Sequence, residues 1–553
     1  MNKAGKIISF LIVLVFGFLL LFYSAKNDSL TTDEGVHLGA GYTYLINRDF
    51  RFDPEHPILI KELAAAPLLF MKISQPSDYV TLWDKGSNFF YDSWQESRAY
   101  GEQLIFASHN DFSGIIFWSQ LVMILITLGA ATFVFYWSKK LFGNKAGFLA
   151  LALFLFNPIV LAHGRLVNTD LAITFVFALG IFSFWEMLKK PSWGTVVLAG
   201  LAFGLAAVVK FTFIILVPIY IFLLILNYTK NDEAKHNFKK YLLGSLGILA
   251  IAYLMILALY YPRLTPPPAT ESVTQTSSTL RGLNFQSPAL DKIYTFVRPV
   301  IIPKDYFKGL AMVLIHTGGG QDAYLLGHYS KTGWWYYFPV AFAIKTPLAL
   351  IVLLIILKIY LIKKKSWQTI DSVFAGSIGI YLLIAMVSKA DLGIRHLLPI
   401  YPLLAIWIGQ LAADKIKFKY KEIIVGGLVT WFLAVAVFAF PNYLSYFSEL
   451  TGGSKNGYKY LSDSNLDWGQ DIIRLKEFMD TNQIEKINLD YTWLSDQAIA
   501  DYGVNFQRVT PEDKNIHGWV AVGAGKITEY NSLRARATET HQIENTLFVF
   551  KID

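Results

Sequence analysis

The chain has 553 residues, of which 54% are hydrophobic and only 16% are charged. A soluble domain carries about 25% charged residues, so this composition excludes an ordinary soluble protein and favours a chain surrounded mostly by lipid. The net charge of +8 does not indicate nucleic-acid binding, because the lysines stand in short clusters between apolar runs, as in cytoplasmic loops. The absence of cysteine excludes disulfides, thiolate metal sites and a cysteine nucleophile.

Apolar runs predict eleven membrane spans, since about 20 apolar residues cross a bilayer. The first run follows Lys3 and Lys6 and is either a retained span or a cleaved signal peptide; its length favours a retained span. The stretch 193–228 is too long for one helix and divides at Lys210 into two short ones. The predicted spans are 7–23, 113–137, 146–162, 168–188, 193–209, 211–228, 241–261, 336–361, 370–388, 396–412 and 422–440.

The lysine clusters predict the orientation. When the N-terminus is placed in the cytoplasm and the spans alternate, every compact cluster falls on the cytoplasmic side, whereas a single span over 193–228 would move the later clusters outside. We therefore predict a multi-pass protein of the plasma (inner) membrane with a cytoplasmic N-terminus and an extracytoplasmic C-terminal domain. The clusters are Lys139, Lys140 and Lys145; Lys189 and Lys190; Lys230, Lys235, Lys239 and Lys240; Lys363, Lys364 and Lys365; and Lys415, Lys417, Lys419 and Lys421.

Three hydrophilic pieces then lie outside. Residues 24–112 are too many for a plain connector, and we expect amphipathic helices there. Residues 262–335 begin with a Pro- and Ser/Thr-rich run that is typical of a mobile loop. Residues 441–553 combine helical spacing from Leu466 to Met479 with three runs typical of strands. Those runs are Lys486–Tyr491, Trp519–Val522 and Thr546–Ile552.

The predicted fold class is therefore mainly α. A polytopic transmembrane helical domain occupies 1–440, and a small extracytoplasmic α/β domain occupies 441–553.

Two acidic motifs lie in the first outer piece. Asp33 and Glu34 follow the first span closely, where partial dehydration can raise the pKa of a carboxylate and suit it to be a general base. The alternative is a helix start with acids in its first turn. In the segment 53–57, Glu55 beside His56 offers a carboxylate and an imidazole for a divalent metal. The alternative there is a proline-bounded helix start with solvated charges.

Two motifs place charge at the outer ends of spans. His163, Arg165 and Asp170 lie in one outer turn, either as ordinary interfacial charge or as part of a site. Lys210 is a lone charge in a long apolar stretch, and such a charge is functional or extends to the headgroups.

Two later motifs add a cation and aromatic rings. Arg395 can hold a phosphate as a bidentate fork, or pair with Asp391 along a helix. His328, Trp334 and Trp335 are either part of the interfacial aromatic belt or rings that stack on a sugar. The topology places all six motifs at the same outer face. Cations suit a phosphate, carboxylates suit a base or a metal, and aromatics suit a sugar, so a polyprenyl-phosphate sugar fits the combination.

Six segments resemble a known family: the GT-C membrane glycosyltransferases, in the branch of protein O-mannosyltransferases and aminoarabinose–lipid A transferases. They cover most of the chain to about residue 440. The tail segment SDSNLDWGQDIIRLKEF (462–478) resembles the extracytoplasmic domain of many bacterial members. The six segments are TTDEGVHLGAGYTYL (31–45), DPEHPILIKELAAAP (53–67), HGRLVNTD (163–170), GLAAVVKFT (204–212), LGHYSKTGWWYYFPVAFAIKTPL (326–348) and GIRHLLPIYP (393–402).

The resemblance implies an inverting transferase that moves a monosaccharide, mannose or another hexose or pentose, from a polyprenyl-phosphate carrier. The acceptor is a hydroxyl of a protein Ser or Thr, a lipid or an envelope glycan, and no nucleic acid is involved. The implied catalytic residues are Asp33 as general base, Glu34 as its support and Asp170 as a second acid. By the same resemblance, Lys210 and Arg395 hold the donor phosphate and Glu55 binds a divalent metal ion. From their residue types and positions, we also assign His56 and Arg165 to the donor phosphate, and Trp334, Trp335 and His328 to the acceptor or sugar.

The chain departs from the family in three places, one of which is a C-terminal domain that differs from the eukaryotic pattern. His56 stands where the aminoarabinose branch has lysine, and the β-trefoil of the eukaryotic mannosyltransferases has no counterpart. The sugar, the acceptor and the metal dependence are left open. A transporter or flippase for lipid-linked sugars is the alternative function, and a catalytically inactive scaffold is a third.

Overall fold

The computed structural model describes residues 2–76, 94–107, 109–236, 238–261, 302–513 and 515–553. It is mostly helical up to residue 438 and ends in a small mixed domain with a five-stranded sheet. The prediction of a mainly α membrane protein with a small C-terminal α/β domain is therefore confirmed.

Apolar helices lie in each of the eleven predicted ranges, but the single helices predicted over 146–162 and 336–361 are each divided in two. In the described part of the chain, seven helices are long and apolar enough to cross a membrane, and one further pair of helices is bent by 108° at a short break. Three apolar helices are shorter. The seven are Lys3–Lys26, Phe112–Phe142, Asp170–Lys189, Phe211–Lys230, Phe238–Leu259, Thr369–Val387 and Lys421–Phe438; the bent pair is Tyr337–Lys345 with Leu348–Lys363; the shorter ones are Asn144–Leu155, Trp193–Val209 and Ile400–Ala412.

The predicted break at Lys210 is present. Its backbone is extended, with φ −157° and ψ 140°, and so it cannot continue the helix that ends at Val209. A short 3₁₀ turn, Phe211–Ile215, then leads into the helix Leu216–Lys230. Two helices, rather than one, therefore occupy 193–230.

The first predicted outer piece contains three α-helices in its described residues: Thr32–Asn47, Ile58–Ala65 and Trp94–Glu102. In the second, residues 302–335 contain the helix Lys304–Gly319 and an antiparallel hairpin of β1 (Ala323–Leu325) and β2 (His328–Ser330). The predicted mobile loop falls partly on 262–301, which lie outside the described residues.

The C-terminal sheet has five strands. β3 (Ile487–Asp490) is parallel to β4 (Phe506–Arg508) and to β5 (Gly518–Gly523). β7 (Leu547–Ile552) is antiparallel to β5 and to β6 (Glu539–Ile543), and the order across the sheet is β4-β3-β5-β7-β6. All three predicted strands are present. The helices of this domain are Ile472–Thr481, Asp496–Asp501 and Asn531–Arg534.

The helix predicted from Leu466 is wrong in its first turns, because it begins only at Ile472. Gly469 has φ +112°, which lies in the left-handed region and does not fit a right-handed helix. Residues 464–470 instead contain the end of the 3₁₀ turn Asp463–Asn465 followed by irregular backbone, and they are hydrogen-bonded to the membrane domain. We call this segment the linker turn.

The charged residues lie at opposite ends of the helices. Asp170 begins the 20-residue span that ends at Lys189, so the two are separated by about 30 Å at 1.5 Å per residue. Lys140 and Lys189 pair with Glu186 near the second end, at 2.7 and 3.1 Å. Asp170 therefore lies at the end of the helices opposite to Lys140 and Lys189.

Candidate active site

Four charged side chains meet at the Asp170 end. The Nη1 atom of Arg395 lies 3.0 Å from Asp33 Oδ2 and 3.6 Å from Asp170 Oδ2. The Lys210 ammonium donates to the other oxygen of Asp170. Asp170 is 2% exposed, whereas the Asp33 side chain retains 18% exposure. We call these four residues the charged centre; it has two cations, one fully buried carboxylate and one carboxylate accessible to a ligand.

Each residue of the charged centre comes from the end or the break of an element. Asp33 is in the first turn of the helix Thr32–Asn47, and Asp170 is the first residue of its span. Carboxylates are favoured at helix N-termini because the free N–H groups carry partial positive charge. Lys210 lies at the helix break, and Arg395 lies in a 3₁₀ turn before the helix Ile400–Gly409.

Glu34 is fully buried and satisfied by the protein itself. Its Oε2 accepts from the backbone N–H and the hydroxyl of Thr31 at 2.9 and 3.0 Å, which forms a capping box. Its Oε1 accepts from Gln120 Nε2 at 2.9 Å and from the Val167 N–H at 3.0 Å. The helix-start interpretation therefore describes Glu34, and it leaves Asp33 as the exposed member of the pair.

A second buried cluster surrounds Asp53. His37 Nδ1 and His56 Nδ1 lie 2.9 and 3.0 Å from its two oxygens, and Lys61 Nζ lies 3.2 Å from Oδ2. Burial alone would raise the pKa of Asp53, but the Lys61 ammonium and the imidazoles outweigh it and hold the pKa well below its usual range. Asp53 is therefore an anion that orients both rings, with Lys61 as its counter-ion. His56, with 23% of its side chain exposed, is the accessible member.

Two groups of ligand atoms are candidates for a metal ion. His37, Asp53 and His56 offer three atoms within 4.8 Å of one another. However, Lys61 already neutralises that carboxylate, so the cluster does not need a cation. The predicted ligand Glu55 lies elsewhere, with Oε1 3.0 Å from Nδ1 of His316. This carboxylate–imidazole pair offers two atoms of the kinds that a divalent metal binds.

Arg165 occupies a different environment from Lys210 and Arg395. It is fully buried, and its guanidinium forms an ion pair with Asp28. Asp28 also binds Arg474 Nη2 of the C-terminal domain at 2.7 Å, and Arg474 in turn binds Asp471. Arg165 therefore belongs to an ion network that joins the first outer segment to the C-terminal domain.

The predicted aromatic group lies near Asp391. The backbone N–H of Trp334 donates to Asp391 Oδ2 at 2.7 Å. Burial raises the pKa of Asp391 to about 6. Trp335 is 68% exposed, and His328 is exposed on β2. In the described part of the chain, His328, Trp334 and Trp335 form no hydrogen bond or ion pair with the charged centre.

Residues 463–468 contribute side chains next to Arg395 that no sequence motif predicted. The Trp468 ring lies 4.3 Å from the Arg395 guanidinium carbon. Asp463 has φ +57° and is half-buried. Burial raises the pKa of Asp463, the Arg395 charge opposes that rise, and the Asp33 charge adds to it. The only sequence signal was the density of acids and the single tryptophan in SDSNLDWGQD, which resembled a domain rather than a site.

The fold and the charged centre together define a multi-pass membrane protein with a site at one end of its helices. Residues 103–257 match the family model described as "Dolichyl-phosphate-mannose-protein mannosyltransferase". The matched segment includes Asp170 and Lys210. The predicted resemblance to this family of glycosyltransferases is confirmed for that segment. No curated protein matches the chain.

Among solved structures, the chain is similar to ArnT from Cupriavidus metallidurans in the apo state, with 12% identity, 100% of this chain and 98% of that chain covered, and a TM-score of 0.47. The same protein bound to undecaprenyl phosphate gives 12% identity, coverage of 99% and 98%, and a TM-score of 0.47. The apo oligosaccharyltransferase of Archaeoglobus fulgidus gives 12% identity, coverage of 90% and 64%, and a TM-score of 0.46.

Proposed function

We propose that the chain is an inverting glycosyltransferase of the GT-C type that moves a monosaccharide from a polyprenyl-phosphate carrier to a hydroxyl acceptor at the extracytoplasmic face. The observation that carries the proposal is the charged centre itself. The Arg395 guanidinium lies between the accessible carboxylate of Asp33 and the buried carboxylate of Asp170. Asp170 also forms an ion pair with a lysine. The family match over 103–257 supports the same reaction class.

Asp33 is the proposed general base. The acceptor oxygen attacks the anomeric carbon and its proton passes to Asp33, while the bond from that carbon to the phosphate oxygen breaks. The electron pair leaves with the phosphate, and a single in-line displacement inverts the anomeric centre. The partial exposure of Asp33 suits this role because an acceptor can reach its carboxylate within hydrogen-bond distance.

Arg395 and Lys210 are the proposed ligands of the leaving phosphate. The phosphate gains negative charge as the glycosidic bond breaks, so cations placed beforehand stabilise the transition state more than the ground state. Asp170 is the proposed positioning acid, because it contacts both cations. Its buried negative charge also lowers the cost of burying two cations together.

His56 remains a proposed phosphate contact, held in orientation by Asp53. The sequence position of Arg165 predicts a phosphate contact, but its ion pair with Asp28 favours a structural role. We propose Glu55, together with His316, as the ligands of a divalent metal ion. Bound there, a metal would supply a Lewis acid for phosphate oxygens.

The proposed acceptor and sugar contacts rest on the chemistry of three side chains. Trp334, Trp335 and His328 are suited to stack on or bind a sugar or acceptor, and a protein Ser/Thr, a lipid or a glycan can supply the hydroxyl. The plasma membrane and the outward-facing site are proposed from the lysine clusters, which lie at the helix ends opposite Asp170.

The proposal is tested with purified protein in lipid nanodiscs, a polyprenyl-phosphate donor carrying a radiolabelled hexose or pentose, and an envelope extract as acceptor source. The expected result is transfer of label to an acceptor and release of polyprenyl phosphate, with loss of both in Asp33→Asn. If the wild type instead moves the donor across proteoliposome membranes without breaking the glycosidic bond, the transporter alternative is correct. The one-ended location of the charged centre argues against that alternative, since transporters bind substrate near the bilayer midplane.

A further inference from the structure

The linker turn connects the C-terminal domain to both halves of the charged centre. On the Asp33 side, the Thr32 N–H donates to the Trp468 carbonyl at 3.0 Å, and the Ser29 N–H donates to the Gln470 carbonyl at 2.9 Å. On the Arg395 side, the Ile394 N–H donates to Asn465 Oδ1 at 2.9 Å. One segment of seven residues therefore binds the immediate backbone neighbours of both Asp33 and Arg395.

Hydrogen bonds hold the backbone of the linker turn in place. The Trp468 N–H donates to Gln470 Oε1 at 2.7 Å, and Gln470 Nε2 donates to the Leu466 carbonyl at 2.8 Å. The buried Lys345 ammonium donates to the Asn465 carbonyl at 2.5 Å. The Tyr491 hydroxyl, which follows β3, donates to Asp467 Oδ1 at 2.6 Å. The backbone that carries Trp468 is therefore held by contacts with both the C-terminal sheet and the membrane domain.

The Trp468 ring covers one face of the Arg395 guanidinium. The ring is 2% exposed and lies 4.3 Å from the guanidinium carbon. His163 lies behind the ring, with centroids 6.3 Å apart. Arg395 Nη1 contacts the two carboxylates, whereas Nε is buried with no hydrogen-bond partner in the described structure. An arginine that rests on an aromatic face is held in its plane without using its N–H donors, so those donors stay available to an anion.

We propose that Trp468 is a positioning residue for Arg395, and that the C-terminal domain thereby completes the phosphate-binding half of the site. This inference rests on the proposed function. It assigns the domain a part in donor binding, in addition to any contact with an acceptor. The guanidinium plane is set by Trp468, and the direction of Nη1 is set by Asp33 and Asp170.

The test compares Trp468→Leu, Trp468→Phe and the control Trp519→Leu. Trp519 is a half-buried tryptophan of β5 that packs on Phe478 and His541 of the same domain. Each protein, as the full chain in nanodiscs, is measured for its unfolding temperature, for its affinity for polyprenyl phosphate and for the KM and kcat of transfer. Loss of a cation–π contact of this kind corresponds to roughly a tenfold change.

The expected result is a donor KM and a polyprenyl-phosphate Kd raised about tenfold in Trp468→Leu. Trp468→Phe retains a ring and stays within about threefold of the wild type. Trp519→Leu lowers the unfolding temperature but leaves KM and Kd unchanged. Unchanged KM and Kd in Trp468→Leu overturn the inference, as do equal losses in the Leu and Phe variants. If the wild type neither binds polyprenyl phosphate nor transfers sugar, the proposed function is overturned, and this inference with it.

Discussion

Asp33 and Glu34 are adjacent carboxylates, and their isosteric amide variants are expected to fail in different ways. Asp33→Asn removes the proposed base from a partly exposed position. We expect a loss of kcat of roughly 10²–10⁴-fold, the usual contribution of a positioned general base, with an unfolding temperature close to that of the wild type.

Glu34→Gln is expected to change stability first. The carboxylate accepts four hydrogen bonds, two at each oxygen, from Thr31, Gln120 and Val167. A glutamine has one oxygen and one NH₂ group, so its NH₂ must face two donors, one of which is a backbone N–H. A buried donor without an acceptor costs about 1–3 kcal/mol. With the weakened bonds at the other oxygen, we expect a total of about 2–4 kcal/mol.

Both variants are assayed by tryptophan-fluorescence thermal unfolding in detergent and by donor-dependent transfer in nanodiscs. Glu34→Gln should unfold several degrees below the wild type, while the protein that remains folded keeps most of its kcat. An unchanged unfolding temperature in Glu34→Gln would refute the hydrogen-bond argument. Full activity in Asp33→Asn would refute the assignment of the base.

Three further predictions concern cations, metal and pH. Lys210→Met should lower kcat/KM for the donor by roughly 10²–10³-fold, whereas Lys389→Met, an exposed lysine of the same outer turn as Arg395, should leave it unchanged in the transfer assay. Chelation with EDTA should abolish transfer, and Glu55→Gln should raise the concentration of Mn²⁺ or Zn²⁺ needed for recovery at least tenfold; transfer that persists in EDTA would contradict the metal site. Burial raises the pKa of Asp467 to about 7, so the folded chain holds a proton that the unfolded chain has released between about pH 4 and 7. Stability should therefore fall as pH rises through this window, by up to about 1.4 kcal/mol per pH unit from this group, and Asp467→Asn should flatten that slope in unfolding measurements from pH 5 to 8.

The membrane helices were predictable because their signal is local. Lipid demands a run of apolar residues, and lysine clusters mark one side, so both the division at Lys210 and the placement of Asp170 at the opposite end followed from composition along the chain. The three C-terminal strands were predictable for the same reason, as short apolar runs. β4 was missed because it has only three residues, and β6 because Glu539–Ile543 is polar.

The charged centre was only partly predictable. Asp33, Asp170, Lys210 and Arg395 all carry charge next to apolar runs, and that contrast identified them. The difference in burial between Asp33 and Glu34 could not be predicted from the sequence. It depends on hydrogen bonds from Gln120 and Val167, which are distant in sequence. Trp468 was missed for a similar reason: its partner lies on another element, and Gly469 interrupts the helix that the apolar spacing indicated.

The linker turn also has a consequence for how the chain matures. Ser29 and Gly469, which are hydrogen-bonded, are 440 positions apart, and Arg395 and Asp33 are 362 positions apart. Contacts so distant in sequence form late in folding, because long loops must close first. A ribosome-bound chain therefore exposes Asp33 long before it has made Arg395, and it finishes the apolar helices up to Phe438 before Trp468 exists. If the proposed function is correct, sugar transfer begins only once the last fifth of the protein has been made and has docked, and a prematurely terminated chain is inserted in the membrane but inactive.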